Sequence, residues 1–322
     1  MRRVLLVVSL AGVIVTAGCG GLLGTENGAV EPATEPATGI FEIHHIDVGQ
    51  ADATLLVAPG GETMLIDSGD WRDDGGTVLA YLDRHGIDRI DHLVSTHGHA
   101  DHIGGHERLI TEYETERGGI GAIYDSGTAH TSRTYENYLD AVERHDVTLF
   151  EVQEGDSIPF GERVDVTVLN PAAGDSAGEL HDDSVVLVVE FGQFRYLTTG
   201  DAEQAVEERL IEEWANALAA DVYQAGHHGS STSSTPSFLA ETAPQVTVIS
   251  SANGSQYGHP HDEVLRRFAQ RGIETYWTGV HGDIVVTTDG RNVSVETERA
   301  ATTDAADLLD RKPTRIAPVA QP

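Results

Sequence analysis

The sequence predicts an α/β fold of the αββα type, with two central β-sheets packed face to face and helices on the outside. Three observations predict it. Strand-like apolar runs alternate with helical runs along most of the chain, the order expected of sheets covered by helices. The first three strand-like runs are joined by short turns and so form an antiparallel meander. The second half then repeats the mixture of strands and helices, so two similar αβ halves make one domain with no boundary between residues 40 and 299.

The elements follow in order. Phe41 to Val48 alternates as a half-buried strand does, and Ala53 to Ala58 and Thr63 to Asp67 supply two more. Gly49-Gln50-Ala51-Asp52 and Pro59-Gly60-Gly61-Glu62 turn the chain between them. Thr77 to His85 has helical spacing in Val78, Leu79 and Leu82, and stops at Gly86. A strand at Ile90 to Val94 delivers the loop Ser95 to His102. A helix over Glu107 to Arg117 follows, closed by Gly118-Gly119. Next come a strand at 120–124, a helix at 135–145, a short strand at 147–152, and an alternating strand at 164–169 that ends in Asn170-Pro171. Val185 to Phe191 and Phe194 to Thr199 form a hairpin, and Ala202 to Ala219 is a long amphipathic helix. A strand at 221–225 leads into Gly226-His227-His228-Gly229-Ser230. A helix at 236–241, a strand at 246–250 and a helix at 261–271 follow, with closing strands near 274–277, 283–288 and 292–297. Residues 300–322 have the Ala, Thr, Asp and Pro content of a disordered tail.

Acidic side chains outnumber basic ones 52 to 20, for a net charge of −32, and the only lysine is Lys312. The acids are dispersed among Val, Ile and Leu rather than gathered in a block, as on the hydrated surface of a halophile's protein. In dilute buffer such charge opposes a nucleic-acid partner. In molar salt the Debye length is only about 3 Å, so local groups decide and a phosphate substrate stays admissible. The single cysteine, Cys19, excludes a disulfide framework and a cysteine-ligated metal. Met1-Arg2-Arg3, the apolar run Val4 to Val15 and the small residues before Cys19 read as a signal peptide with a lipobox over residues 1–19. Arg2-Arg3 also fits twin-arginine export. The apolar run is shorter than the roughly 20 residues of a membrane span. Residues 20–39 are small, polar and proline-punctuated, the composition of a flexible tether. The expected location is extracytoplasmic, on the cell membrane through lipid at Cys19.

The chemistry gathers on Ser95-Thr96-His97-Gly98-His99-Ala100-Asp101-His102. A loop at the carboxyl end of a strand is where open α/β sheets place their sites. Imidazole and carboxylate together suit zinc, manganese and iron. His97 and His99 alternate on one side of the loop and face one ion, while Asp101 and His102 point to a second. Thr199-Gly200-Asp201 ends another strand and offers a carboxylate that bridges both. His227-His228-Gly229-Ser230 adds an imidazole from a third strand. This set predicts two divalent metal ions, zinc or manganese, about 3.5–4 Å apart and sharing a hydroxide nucleophile.

Further segments extend the pattern: Asp47-Val48-Gly49-Gln50-Ala51-Asp52-Ala53, Leu65-Ile66-Asp67-Ser68-Gly69, Asp183-Ser184-Val185-Val186-Leu187 and Tyr257-Gly258-His259-Pro260-His261. From about Phe41 to Thr288 the chain resembles the metallo-β-lactamase superfamily, and within it the extracytoplasmic hydrolase domain of ComEC-type competence proteins. The resemblance implies a metallo-β-lactamase-like domain over residues 40–299. It implies that His97 and His99 bind the first metal, Asp101 and His102 the second, and that Asp201 bridges. His228 fits the superfamily's last histidine ligand, with His227 beside it facing substrate phosphate, although the adjacent pair leaves both open as the ligand. Asp67 fits an aspartate that orients the histidine loop through hydrogen bonds. His259 fits a substrate or proton-transfer residue near the mouth. The third histidine of the first metal falls at His181, Asp182 or Asp183, and the three stay open. Gln224 stands where this branch often has a lysine, a lost cation expected to weaken phosphate binding. The channel and oligonucleotide-binding fold of ComEC proteins have no counterpart after Val15, so the expectation is a stand-alone exported hydrolase domain, and DNA uptake is not implied.

The expected function is an exported, metal-dependent hydrolase of phosphodiesters, nuclease-like, acting on nucleic acid, a nucleotide or a lipid or cell-wall headgroup. Asp101, His227 and His259 are its expected catalytic side chains. The alternatives are hydrolysis of a lactone or β-lactam by the same attack on carbon, and a metal- or ligand-binding lipoprotein without turnover.

Overall fold

Period-two alternation sorts the strand side chains into layers, and three layers of apolar residues result. The structure, a computed structural model, describes residues 38–174 and 178–313. The expected signal peptide, the expected tether up to residue 37 and residues 314–322 lie outside the described residues. In chain order the strands are β1 (Phe41–His45), β2 (Thr54–Val57), β3 (Thr63–Ile66), β4 (Ile90–Val94), β5 (Ile120–Asp125), β6 (Leu149–Glu151), β7 (Ser157–Phe160) and β8 (Val164–Asn170). They continue with β9 (Val186–Phe191), β10 (Phe194–Thr198), β11 (Val222–Gln224), β12 (Val246–Ile249), β13 (Glu274–Trp277), β14 (Ile284–Thr288) and β15 (Val293–Thr297). The helices are α1 (Gly76–Arg84), α2 (His106–Glu116), α3 (Arg133–His145), α4 (Gln204–Leu218), α5 (Phe238–Thr242), α6 (Asp262–Arg271), α7 (Thr278–His281) and α8 (Ala305–Leu308).

One sheet has the strand order β15-β14-β1-β2-β3-β4-β5-β6 and the other β13-β12-β11-β10-β9-β8-β7. Met64, Ile66 and Val94 of the first sheet meet Leu187, Tyr196 and Val248 of the second in the central layer. The alternate residues Leu65 and Leu93 turn outward to α1, α2 and α3. Leu197, Tyr223 and Ile249 turn outward to α4, α5 and α6. Truncating one of these fully buried side chains to Ala costs about 2–5 kcal/mol. Among the described residues, no helix is long and apolar enough to cross a membrane.

The meander is present as β1-β2-β3, antiparallel throughout. The two halves are not closed units, however. The last hairpin, β14-β15, returns to the first sheet and pairs with β1. β7, absent from the sequence expectation, is an edge strand containing Pro159, a residue that sheets tolerate only at edges. Order also continues past Arg299. Ala305 and Leu308 of α8 are buried in the layer under α6, and Lys312 Nζ donates to the Gly258 and Pro260 carbonyls at 3.2 and 2.6 Å. Two apolar contacts and one half-buried lysine stem hold a stretch whose composition reads as a tail.

Parallel pairing sets up the site. β3 with β4, and β10 with β11 and β12, run in the same direction, so their carboxyl ends open onto one edge of the sandwich. Asp67, the histidine loop, Asp201, His228 and Ser250 all follow those ends.

Candidate metal centre

The histidine loop keeps its shape through the turn after β3. Asp67 Oδ1 accepts the Thr96 N–H at 2.8 Å, and its Oδ2 accepts the Thr96 hydroxyl at 2.7 Å and lies 2.7 Å from His102 Nδ1. Nδ1 of His102 is thereby engaged, and Nε2 is left to face inward. Two glycines let the loop pass close to this turn. A Cβ on Gly104 would stand 2.2 Å from the Trp71 nitrogen, and one on Gly105 would stand 2.6 Å from the Gly75 Cα. The opposing turn is equally constrained. A Cβ on Gly200 would lie 2.3 Å from Ser184 Oγ, which itself accepts the Asp201 N–H at 3.0 Å.

Asp201 is the centre of the cluster. Its Oδ1 lies 3.2 Å from His102 Nε2 and 3.8 Å from His228 Nε2. Its Oδ2 lies 3.7 Å from His97 Nε2, 3.6 Å from His227 Nε2 and 4.0 Å from His181 Nε2. His99 joins the second set, with Nδ1 2.8 Å from His97 Nε2. Asp101 Oδ2 joins the first set, 3.4 Å from His228 Nε2. Two groups of four therefore share Asp201, namely His97, His99, His181 and Asp201, and Asp52, His102, Asp201 and His228. Within each group the ligand-type atoms lie within 4.8 Å of one another.

Three buried atoms test whether a metal fits. His102 Nε2, His228 Nε2 and Asp201 Oδ1 have no hydrogen-bond partner in the protein. Unsatisfied buried groups of this kind cost about 1–3 kcal/mol each. They converge on one point and combine imidazole nitrogen with carboxylate oxygen, the donor set of zinc and manganese. The residues fit a divalent cation.

Electrostatics follow the same division. Burial acts to raise the Asp201 carboxyl, but the positive charges of His102 and His228 hold it well below its ordinary value. Burial acts to lower His102, but Asp201 and Asp67 hold it well above the ordinary imidazole value. His228 is likewise opposed by burial, yet Asp201 and Asp52 raise it to about 9. Burial would raise Asp101, but the nearby imidazoles of His228 and His102 keep it below the usual carboxylate range. On the other side, burial and the neighbouring His181 lower His99 to about 4, and burial and His102 hold His97 well down. The enclosed side thus gathers positive charge around Asp201 with protons, which is where a cation would supply it.

His227 and His228 both have left-handed backbones, with φ of 51° and 55°, and Asp67 has φ of 59°. Non-glycine residues held there cost about 1–3 kcal/mol each and cluster at functional sites. The strain splits the two histidines. His228 turns inward, its Nδ1 3.0 Å from the Ser250 carbonyl, so Nε2 faces Asp101 and Asp201. His227 stands at the rim with its Nδ1 3.2 Å from Glu203 Oε1. Among His181, Asp182 and Asp183, it is His181 that turns to the cluster, its ring 4.8 Å from that of His99. Asp183 Oδ2 is occupied by the Thr128 hydroxyl and the Gly178 N–H, at 2.8 and 3.0 Å. Asp182 lines a cleft of about 440 Å³ with His99, His130, Glu179, His181 and Glu203. His259 is buried behind His228 and stacks on it with ring centres 6.2 Å apart, while the Gln50 side-chain N–H reaches its Nδ1 at 3.3 Å.

The expectation for Gln224 is corrected by its position. It is buried between the sheets, donates to Asp52 Oδ1 at 2.7 Å, and accepts from Tyr196 Oη at 2.6 Å. It holds Asp52 behind His228 and does not reach the cleft, so its neutrality takes no cation away from a substrate. Sequence reasoning also missed Asp52 and Glu203 as members of the cluster. Asp52 sits in the quoted Asp47-to-Ala53 segment and Glu203 two residues past Asp201, but nothing local marks what either meets.

Comparison with known proteins shows the family of the chain. Residues 46–252 match the model of the Metallo-beta-lactamase superfamily. The chain is similar to ComE operon protein 3 of Bacillus subtilis, 30% identical over 259 residues that cover 76% of this chain and 32% of that protein. It is also similar to Recombination protein 2 of Haemophilus influenzae, 29% identical over 252 residues that cover 76% of this chain and 29% of that protein. The chain thus spans about a third of the length of these curated relatives. Among solved structures it is similar in fold to the metallo-beta-lactamase fold protein YhfI from Bacillus subtilis, with a TM-score of 0.52 and 12% identity over 80% of this chain and 100% of that one.

Proposed function

Because the chain belongs to the metallo-beta-lactamase superfamily, we propose that it is a hydrolase that uses two divalent metal ions to cleave phosphodiesters. The observation that carries this reading is the convergence of buried, unpartnered His102 Nε2, His228 Nε2 and Asp201 Oδ1 beside a second group of imidazoles on the other oxygen of Asp201. His97, His99, His181 and Asp201 would hold one ion. Asp101, His102, His228 and Asp201 would hold the other. When bound, such ions supply Lewis acidity and a water acidic enough to attack at neutral pH.

The chain's own residues do the rest. Asp101 is ionised and, unlike Asp201, partly exposed, with 31% of its side chain accessible. It orients the attacking water and accepts its proton. His259, with Nδ1 met by the Gln50 amide, keeps its proton on Nε2 and serves the leaving group. The cleft beside His99 and His181 receives the substrate. Relatives named for recombination and competence are the reason to rank a phosphodiester, in nucleic acid or a nucleotide, ahead of a lactone or β-lactam. The proposal includes export and lipid attachment at Cys19, and a surface adapted to brine.

The test is a substrate screen in molar salt with manganese and with zinc. It uses bis-p-nitrophenyl phosphate, single- and double-stranded DNA, and a chromogenic β-lactam. Cleavage of the phosphodiesters is expected. Preference for the β-lactam would overturn the ranking, and no turnover of any would favour a binding protein.

A further inference from the structure

We propose that Glu203 is a positioning residue that fixes the tautomers of both His181 and His227, turning the Nε2 of each toward Asp201. The inference rests on the metal-dependent reading above. Glu203 Oε1 lies 3.2 Å from His227 Nδ1 and 3.6 Å from His181 Nδ1. Across the same two rings, His227 Nε2 and His181 Nε2 lie 3.6 and 4.0 Å from Asp201 Oδ2. The rings are neighbours, with centres 4.6 Å apart. A neutral imidazole carries one N–H and one lone pair, and an ionised carboxylate only accepts. A carboxylate beside both Nδ1 atoms favours the N–H on Nδ1 of each ring and so leaves the lone pairs on Nε2. Without it, either ring is free to place its N–H on Nε2 and point a hydrogen at the cation. The Thr232 hydroxyl, 3.4 Å from His227 Nδ1, is a weaker partner because it both donates and accepts.

The arrangement is economical in chain length. Asp201 and Glu203 flank Ala202 in one strand-to-helix turn, and the Glu203 carbonyl accepts the Glu207 N–H at 3.1 Å as α4 begins. A single turn thus carries the shared carboxylate and the group that aligns two of the rings facing it. His227 is then an imidazole with its lone pair in the open subsite, not a hydrogen-bond donor to phosphate.

Cobalt(II) titration of the metal-free protein in molar salt, followed by visible absorption, tests this apart from activity. The wild type is expected to bind two ions in distinguishable steps. Glu203→Ala and Glu203→Gln should weaken one step by about 10–100-fold and leave the other unchanged, while Glu203→Asp should restore most of the loss. Glu203 is a third exposed, so these variants are expected to fold, and circular dichroism checks that they do. A wild-type titration for Glu203→Ala would overturn the inference. So would a third wild-type ion lost in Glu203→Ala, which would make Glu203 itself a ligand. A wild type that binds no cobalt would instead overturn the metal-dependent reading, and this inference with it.

Discussion

Asp52, His102, Asp201 and His228 are buried on every side, whereas His99, His181, His227 and Glu203 stand at an opening. Both groups meet at Asp201, yet they are built differently. Backbone and side-chain hydrogen bonds hold the enclosed group from behind: Asp67 on His102, the Ser250 carbonyl on His228, and Gln224 on Asp52. The open group depends on Glu203 and on residues around the 440 Å³ cleft. The difference teaches a division of labour. In the proposed reading, the enclosed side would hold one ion tightly and the open side would leave room for substrate beside the other.

The largest expected effect comes from removing what the two sides share. Asp201→Ala should lower phosphodiester turnover by at least about 10²–10³-fold, the loss that follows removal of one preorganised electrostatic group, and it should empty both subsites while the fold survives. Loss of only one ion would break the symmetry assigned to Asp201. Next, Asp67→Ala strips the Thr96 N–H and His102 Nδ1 of their acceptor. It should cost about 1–3 kcal/mol in denaturant unfolding and weaken only the enclosed subsite, by about 10–100-fold. Equal weakening of both steps in the cobalt titration would contradict the division.

Burial alone does not decide a histidine's charge, and a third histidine shows it. His45 is as buried as His228, but it faces the Thr54 hydroxyl and the Tyr196 ring instead of carboxylates, and burial lowers it to about 3. The unfolded chain takes up that proton near pH 6.5, so it binds more protons than the native state between about pH 6.5 and 3. Stability from this site is therefore fully present above pH 6.5 and falls as the pH drops, by about 2 kcal/mol between pH 7 and pH 5. His45→Asn should flatten that acid limb in denaturant melts across pH, and an unchanged limb would contradict the assignment. The smallest effect is expected at Lys312, which clamps the carbonyls on either side of His259 and pairs with Asp262. Lys312→Met should cost about 1 kcal/mol and raise KM more than it lowers kcat.

The sequence made the enclosed side more legible than its supports. Asp101 and His102 are adjacent in the histidine loop, a local pattern, and Asp201 and His228 each end a strand, which is a positional signal. Glu203 and Asp52 matter only through partners brought near by folding, and Gln224 is misread wherever its burial between the sheets is unknown. The left-handed backbones of Asp67, His227 and His228 decide which way each side chain points, and no residue type there announces them. In the fold, alternation revealed the long strands. It failed at β7, where four residues include a proline, and at α8, where only Ala305 and Leu308 are buried.

Catalysis as proposed depends on a pair of metal subsites sharing Asp201. Elemental analysis of the purified protein, exchanged into molar salt with manganese or zinc and freed of excess metal, tests it most directly. Close to two divalent ions per chain is the predicted result for the wild type, and close to none for Asp201→Ala. A wild-type protein that retains no divalent ion would contradict it.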